Sequence, residues 1–426
     1  MIERVLSFPD ALAEVLRHAR TLPAPLERER IGLRDADGRL LAEPIYADRD
    51  QPPFDRSTRD GYAVRAAELS AGTALHIIGS LRAGELWSGP AISSGEALEI
   101  MTGAPVPEGA DCVAMLEHVL RNGDNLSAQP ARTWKPGENI VPRGAEAHAG
   151  DVVLPSGRTV GPAEVAVAAT SGCATLEVYA RPRVAIIATG DELVGIAQQP
   201  EPWQIRNSNS WSLASLVSAA GGSPERLAIA RDELDDLRER IAQGSMWDLL
   251  VLSGGVSMGK HDLVEQVLTE CGAEFFFTGA WIQPGKPVVF GRLPKSGIVY
   301  HPSRAREFEN WQGEWTYFFG LPGNPVSTEV CFHLFVAPLL RALGGRADLA
   351  PAFVEARLAE DVKGAGARTR FLPAQLTSAW DGVTVKLVPW QGSGDVAASA
   401  RAGCFCVLPP SSEALRAGDT VRVLLR

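Results

Sequence analysis

The stretch Leu249–Leu268, LLVLSGGVSMGKHDLVEQVL, decides the fold. A continuous apolar run of strand length ends in Ser-Gly-Gly, and the apolar positions beyond it change period. Leu263, Val264, Val267 and Leu268 fall on one face of a helix. Strand, glycine-bearing loop and helix form the unit of a parallel α/β sheet. The unit recurs upstream, where RVAIIATGDEL leads to the helix SWSLASLVSAAGG, with Ser or Asn available as its cap and paired glycines at its end. It recurs downstream, where YFFGLPGNPV leads into STEVCFHLFVAPLLRALGG. From about Arg183 to Gly345 the sequence therefore predicts a doubly wound α/β sheet.

Outward from this segment the texture changes. Ile31 to about Pro142 holds strand-length pieces punctuated by Pro and Gly, which predicts a mainly β region. GENIVPRGAEAHAGDVVLPSGRTVGPAEVAVAATSG reads as two short extended pieces and a small-residue helix closed by Gly172. After Gly345, short β-leaning runs between Gly and Ser turns predict a small terminal β domain. The first twenty residues, broken by charges every few positions, read as an amphipathic helix of a cytoplasmic protein rather than a signal peptide.

Bulk properties narrow the function. At 426 residues the chain suggests about three domains. Its net charge of -10 argues against a general nucleic-acid binder, whose affinity comes from Lys and Arg on phosphates. No run of 18 apolar residues appears, so no bilayer span is expected. The six scattered cysteines and seven histidines lack metal-ligand spacing, which points to reduced, mostly buried thiols and away from a zinc site.

In open α/β sheets ligands bind beyond the carboxyl ends of the strands, where helix N-termini point free N–H groups. Three loops fit that position: ATGDEL, SGGVSMGKHD and GLPGNPVS. Gly254 and Gly255 would let backbone amides approach an anion, with Ser253 and Ser257 adding hydroxyls, and a phosphate is the simplest such ligand. Glycine after a strand also serves plain turn chemistry. Neither a Gly-Lys-Ser/Thr ending nor Gly-x-Gly-x-x-Gly spacing is present, so an ordinary nucleotide triphosphatase is not indicated.

Asp191, Glu192 and Asp262 stand in or beside these loops. Unit charges about 4 Å apart repel by about 4 kcal/mol at an effective dielectric of 20, so carboxylates around a phosphate call for a cation. A hard divalent ion such as Mg²⁺ takes carboxylate and phosphate oxygens together. Taken singly, Asp262 also reads as a helix N-terminal charge and Asp232, in RDELDDLRER, as part of a solvated helix start. Asp60 in PPFDRSTRDGYAV reads as a turn aspartate, Thr102 in EIMTGAPVPEGAD as a turn hydroxyl, and Lys286 in QPGKPVVFG as a phosphate cation or a loop lysine.

Together FDRSTRDGYAV, IMTGAPVPEGAD, PRGAEAHAGDVV, IIATGDEL, IRNSNS, SGGVSMGKHD, PGKP, GLPGNPVS and QGSG, in this order across nearly the whole chain, resemble the MoeA family of molybdopterin molybdenumtransferases, which includes the gephyrin E domain. The resemblance implies a linker domain (1–44 and 140–180), an inserted β lid (45–139), a molybdopterin-binding α/β domain (181–345) and a C-terminal β-barrel-like domain (346–426). It further implies a homodimer with a composite active site. The implied reaction is Mg²⁺-dependent transfer of molybdate to adenylylated molybdopterin with release of AMP. Molybdopterin adenylyltransferase and apo-molybdoenzymes are the implied transient partners.

By motif position the resemblance assigns Asp262, Glu192 and Asp232 to metal and pyrophosphate, and Asp60 and Thr102 to the molybdate side. Ser253, Gly254, Gly255, Ser257, Lys286, Pro322, Asn324, Pro325 and Ser393 would shape the pterin and phosphate pocket. The chain departs from the family at Arg59, where many members carry Met, and at Glu146, where many carry Asp. Gln283 stands where a lysine is common, and Pro373 near the family's C-terminal arginine, with Arg368 and Arg370 close by. A long stretch, HPSRAREFENWQGEWTY, precedes GLPGNP. Two alternatives stay open: a catalytically reduced cofactor-binding or delivery protein, and a tungstate-inserting homologue.

Overall fold

A computed structural model describes residues 4–130, 132–255, 263–301, 311–411 and 413–426. The chain divides into two units: residues 1–29, 38–40 and 179–426, and residues 30–37 and 41–178.

In the first unit the α/β sheet contains strands β1 (Arg183–Ala188), β2 (Ser223–Arg226), β3 (Leu249–Ser253) and β4 (Glu274–Phe277). The short strand β5 (Ile282–Gln283) follows, then β6 (Val289–Pro294) and β7 (Trp315–Leu321). Spatial order in the sheet is β2-β1-β3-β7-β6-β4. The pairs β2–β1, β1–β3 and β3–β7 are parallel, as the repeated strand–loop–helix unit requires. The pairs β7–β6 and β6–β4 are antiparallel and make the sheet mixed.

Alternating side chains of the central strands enter opposite cores. Val184, Ile186, Leu249 and Val251 pack with helices α1 (Phe8–Arg20), α2 (Asn209–Ala219) and α5 (Pro325–Leu343). Ala185, Ile187, Leu250 and Leu252 pack with α3 (Leu234–Gly244) and α4 (Leu263–Glu270). Both faces are covered, which is why these strands are apolar throughout instead of alternating. Helix α1 starts where Ser7 Oγ accepts the Asp10 N–H at 3.3 Å, and it buries Ala11, Val15 and Ala19.

Helix α5 is long and apolar enough by composition to cross a bilayer, but 78% of it is buried in the core. Its middle turn, Phe332–Val336, is a π-turn. Pro338 has no N–H to give Leu334, and the Ala337 N–H reaches back to the Phe332 carbonyl, so the wider turn takes up the missing bond.

Strands β8 (Phe353–Leu358), β9 (Thr369–Ala379), β10 (Gly382–Leu387), β11 (Cys404–Leu408) and β12 (Thr420–Leu425) join β5 in the order β5-β9-β10-β8-β12-β11. A further β9–β11 pairing closes this sheet into a small barrel. Helix α6 (Val396–Arg401) joins the barrel to α5. The Glu329 carboxylate of α5 is paired with Arg426 and accepts the Ser399 hydroxyl of α6, while Arg426 also donates to the Ser399 carbonyl at 2.8 Å.

The second unit is built on a six-stranded sheet in the order Cys112–Met115, Gly61–Val64, Glu96–Ile100, Leu75–Leu81, Asn125–Ala128, Val119–Asn122. It also holds the expected helix Pro162–Thr170, followed by Gly172 at φ 76°. All six cysteines are free thiols, five of them buried.

Removing one member of a buried ion pair strands its partner, which costs about 3 kcal/mol. Arg426→Met should therefore lower the urea midpoint followed by circular dichroism, and the double change with Glu329→Met should recover most of the loss. Equal midpoints for Arg426→Met and wild type would contradict the role given to the pair.

Candidate active site

Register sets the floor of the site. Ala188 pairs with Ser253 and Ser253 with Leu321, so β1, β3 and β7 end at one level. The loops that leave them enclose a cavity of about 600 Å³ lined by Thr189, Gly190, Glu192, Asp232, Ser253, Gly254, Gly255, Pro322, Asn324 and Pro325, among others. Eight of the residues expected from the sequence meet there: Glu192, Asp232, Ser253, Gly254, Gly255, Pro322, Asn324 and Pro325. Asp262 and Ser257 lie outside the described residues.

Gly254 has φ 93°, and a Cβ there would sit 2.6 Å from the Thr189 carbonyl oxygen, so only glycine fits between the two loops. Asn209, which composition did not single out, fastens the loops: its Nδ2 donates to Ser253 Oγ at 2.9 Å and to the Gly323 carbonyl at 2.7 Å. Its only signal in the sequence is its place in IRNSNS. Asn207 caps the start of α2, accepting the Ser210 N–H at 3.1 Å through Oδ1. Among the described residues Thr189 Oγ1 and Asn209 Oδ1 are buried without a hydrogen-bond partner. Buried polar atoms in that state beside a cavity mark places for ligand or water atoms.

Negative charge is crowded on one side of this cavity. The Asp232 backbone N–H donates to Asp191 Oδ1 at 3.3 Å. Burial first, and the Asp191 charge second, push the Asp232 carboxyl above the ordinary range. Raised in this way, Asp232 favours the fold when protonated and opposes it once ionised, as pH rises through its folded-state value. Among the described residues no three acidic, His or Cys side chains converge on one point. Glu192 and Asp232 nevertheless suit Mg²⁺, which uses one or two carboxylates and fills its other positions with substrate phosphate and water.

A second cavity, of about 550 Å³, adjoins the first and shares Pro287, Pro322 and Asn324 with it. It is lined by Gln283, Lys286, Ser327, Arg368, Arg370 and Ser393, and among the described residues no acidic side chain lines it. Arg370 Nε is buried without a partner among the described residues. Lys286 and Ser393, expected from the sequence, are thus placed here. Asn324 Nδ2 donates to Ser393 Oγ at 3.0 Å and the Val326 N–H to the Ser393 carbonyl at 3.0 Å, which pins the barrel loop to the start of α5. Arg368 and Arg370 supply the cationic wall beside Pro373, which itself sits in β9 opposite Phe405.

In the second unit the structure brings Asp60 and Thr102 together. Asp60 Oδ1 accepts the Thr102 backbone N–H at 2.7 Å and its hydroxyl at 2.8 Å. The backbone bond first, and the hydroxyl second, hold the exposed Asp60 carboxyl below the usual carboxylate range. Glu146 pairs with Arg56 at 3.1 Å on the same unit.

Three family models match the chain in order: the MoeA N-terminal region (domain I and II) over residues 6–172, a probable molybdopterin binding domain over residues 185–342, and the MoeA C-terminal region (domain IV) over residues 355–425. Among curated proteins, a molybdopterin molybdenumtransferase of Staphylococcus aureus is 31% identical over 98% of this chain and 94% of its own. One of Nostoc is 33% identical over 95% of this chain and 90% of its own. A crystal structure of a molybdopterin biosynthesis MoeA protein from Pyrococcus horikosii is 31% identical, covers 99% of each chain and superposes with a TM-score of 0.73.

Thr102→Val removes the hydroxyl bond and leaves the backbone bond. The Asp60 pKa, followed by carboxyl NMR, should rise partway toward the ordinary value. Stability contributed by Asp60 is present above its unfolded pKa and lost as pH falls through the folded one, so this variant should show a weaker acid-range dependence. An unmoved titration would remove the pairing.

Proposed function

The chain belongs to the MoeA family, and we propose that it inserts molybdenum into molybdopterin, taking adenylylated molybdopterin in the first cavity and molybdate in the second and releasing AMP. The observation that carries this reading is the pair of adjoining cavities, the first lined by Glu192 and Asp232 together with Arg206 and the second by Lys286, Arg368 and Arg370, with Pro287, Pro322 and Asn324 as their common wall. A substrate that spans the wall presents its phosphates on one side and its dithiolene on the other.

The Gly255 backbone N–H and the Thr189 hydroxyl would donate to the phosphate end, and Asn209 Oδ1 would accept from a bound water or a ligand N–H. Glu192 and Asp232 would hold Mg²⁺, which when bound neutralises phosphoanhydride charge as AMP departs. Asp262 was assigned to the same task and lies outside the described residues. Lys286, Arg368 and Arg370 suit a divalent oxyanion because no carboxylate among the described residues competes for them in their cavity. Asp60, an anion over the neutral range, does not attract molybdate by charge. It acts instead as an acceptor fixed by Thr102, offered to the site of a neighbouring copy in the proposed homodimer. Molybdopterin adenylyltransferase upstream and apo-molybdoenzymes downstream are the proposed cytoplasmic partners.

Purified protein incubated with adenylylated molybdopterin, Mg²⁺ and molybdate should release AMP in a molybdate-dependent way. Glu192→Gln and Asp232→Asn should each slow that release roughly 100-fold while unfolding near the wild-type temperature. Molybdate-dependent AMP no greater than in a protein-free control would sink the proposal.

A further inference from the structure

Lys286, Arg368 and Arg370 line one cavity, and none of the three has an ion-pair partner among the described residues. Like charges gathered in this way repel, so something else must hold them. Strand β5 runs parallel to β9 with Ile282 opposite Thr369 and Gln283 opposite Arg370. The register extends one residue back to set Trp281 beside Arg368. In a strand pair, residues two apart share a face, so the Trp281–Arg368 and Gln283–Arg370 rungs face the same side.

The Trp281 ring is the meeting point. The Arg368 guanidinium lies 5.3 Å from its centroid and the Lys286 ammonium 5.2 Å. The Trp281 backbone N–H donates to the Leu6 carbonyl at 2.8 Å, which anchors the main chain beneath the ring. An aromatic face attracts a cation through its quadrupole without cancelling the charge, whereas a carboxylate partner would neutralise it. The cations are therefore positioned and remain available.

We propose that Trp281 is a positioning residue for oxyanion capture, which gathers Lys286 and Arg368 on one wall of the second cavity and leaves their charge for a divalent tetrahedral oxyanion. This rests on the oxyanion reading of that cavity given above. It also accounts for tolerance of Gln283 at a position where a lysine is common. With Arg368 held on the ring, a further lysine on β5 is not needed to supply the charge.

The test is direct binding of sodium molybdate to the full chain, by calorimetry and by tryptophan emission, in wild type, Trp281→Leu and Trp281→Phe. Trp281→Leu should bind molybdate about 10-fold more weakly, and Trp281→Phe, which keeps an aromatic face, within about 3-fold of wild type. Calorimetry carries the comparison, since Trp390 also lines the cavity and reports binding in every variant. Wild-type affinity in Trp281→Leu, or a loss in Trp281→Phe as large as in Trp281→Leu, overturns the role of Trp281 and leaves the cavity assignment standing. Absence of molybdate binding by wild type removes the cavity assignment and the role of Trp281 with it.

Discussion

The parallel hydrogen-bond register of β1, β3 and β7 is the constraint on which the site depends. Ala188, Ser253 and Leu321 lie in one rung, so the chain leaves three neighbouring strands at the same height. A slip of one residue would turn Ser253 toward the opposite face and move the Gly254 turn away from Thr189. The register is itself held by apolar burial on both faces of the sheet, from Val184 and Val251 on one side to Ile187 and Leu252 on the other. Fully burying each such side chain contributes about 1.5–3 kcal/mol. Loop chemistry thus rests on core packing several residues away.

From that platform the site separates charge by compartment. The carboxylates Glu192 and Asp232 reach the first cavity from the loop after β1 and the approach to α3, and the cations Lys286, Arg368 and Arg370 reach the second from the segment after β5 and the start of β9. Arg206 also lines the first cavity, but the cluster of three cations lies apart from the two carboxylates, beyond a wall that includes Asn324.

Much of this was legible in the sequence where the cause is local. The Leu249–Ser253 strand, the Leu263–Glu270 helix face and the closure of Pro162–Thr170 by Gly172 follow from apolar period and turn residues close in sequence. Glu192, Ser253 and Gly254 could be placed at one cavity because strand ends lie together, and Asn324 by its place in GLPGNPVS. What was not legible is non-local. The antiparallel strands β4 and β6 extend a sheet whose repeated units spoke only of parallel pairing. Asn209 looks like any helix-start polar residue until its amide is seen to bridge Ser253 and Gly323. Gln283 and Pro373 read one at a time as lost anion contacts, because only the β5–β9 register brings Arg368 and Arg370 to the same cavity.

Helix α5 carries one more consequence. Asn324, which stands at its N-terminus, belongs to the wall common to both cavities, and one turn further on Glu329 is bound to the barrel through Ser399 and Arg426. A ligand that displaced Asn324 to enter one compartment would alter the shape of the other, since Asn324 lines both. Ligands in the two cavities would then be thermodynamically linked. Whatever factor one exerts on the affinity of the other must be returned in equal measure, and the order of loading would not change the product of the two equilibria.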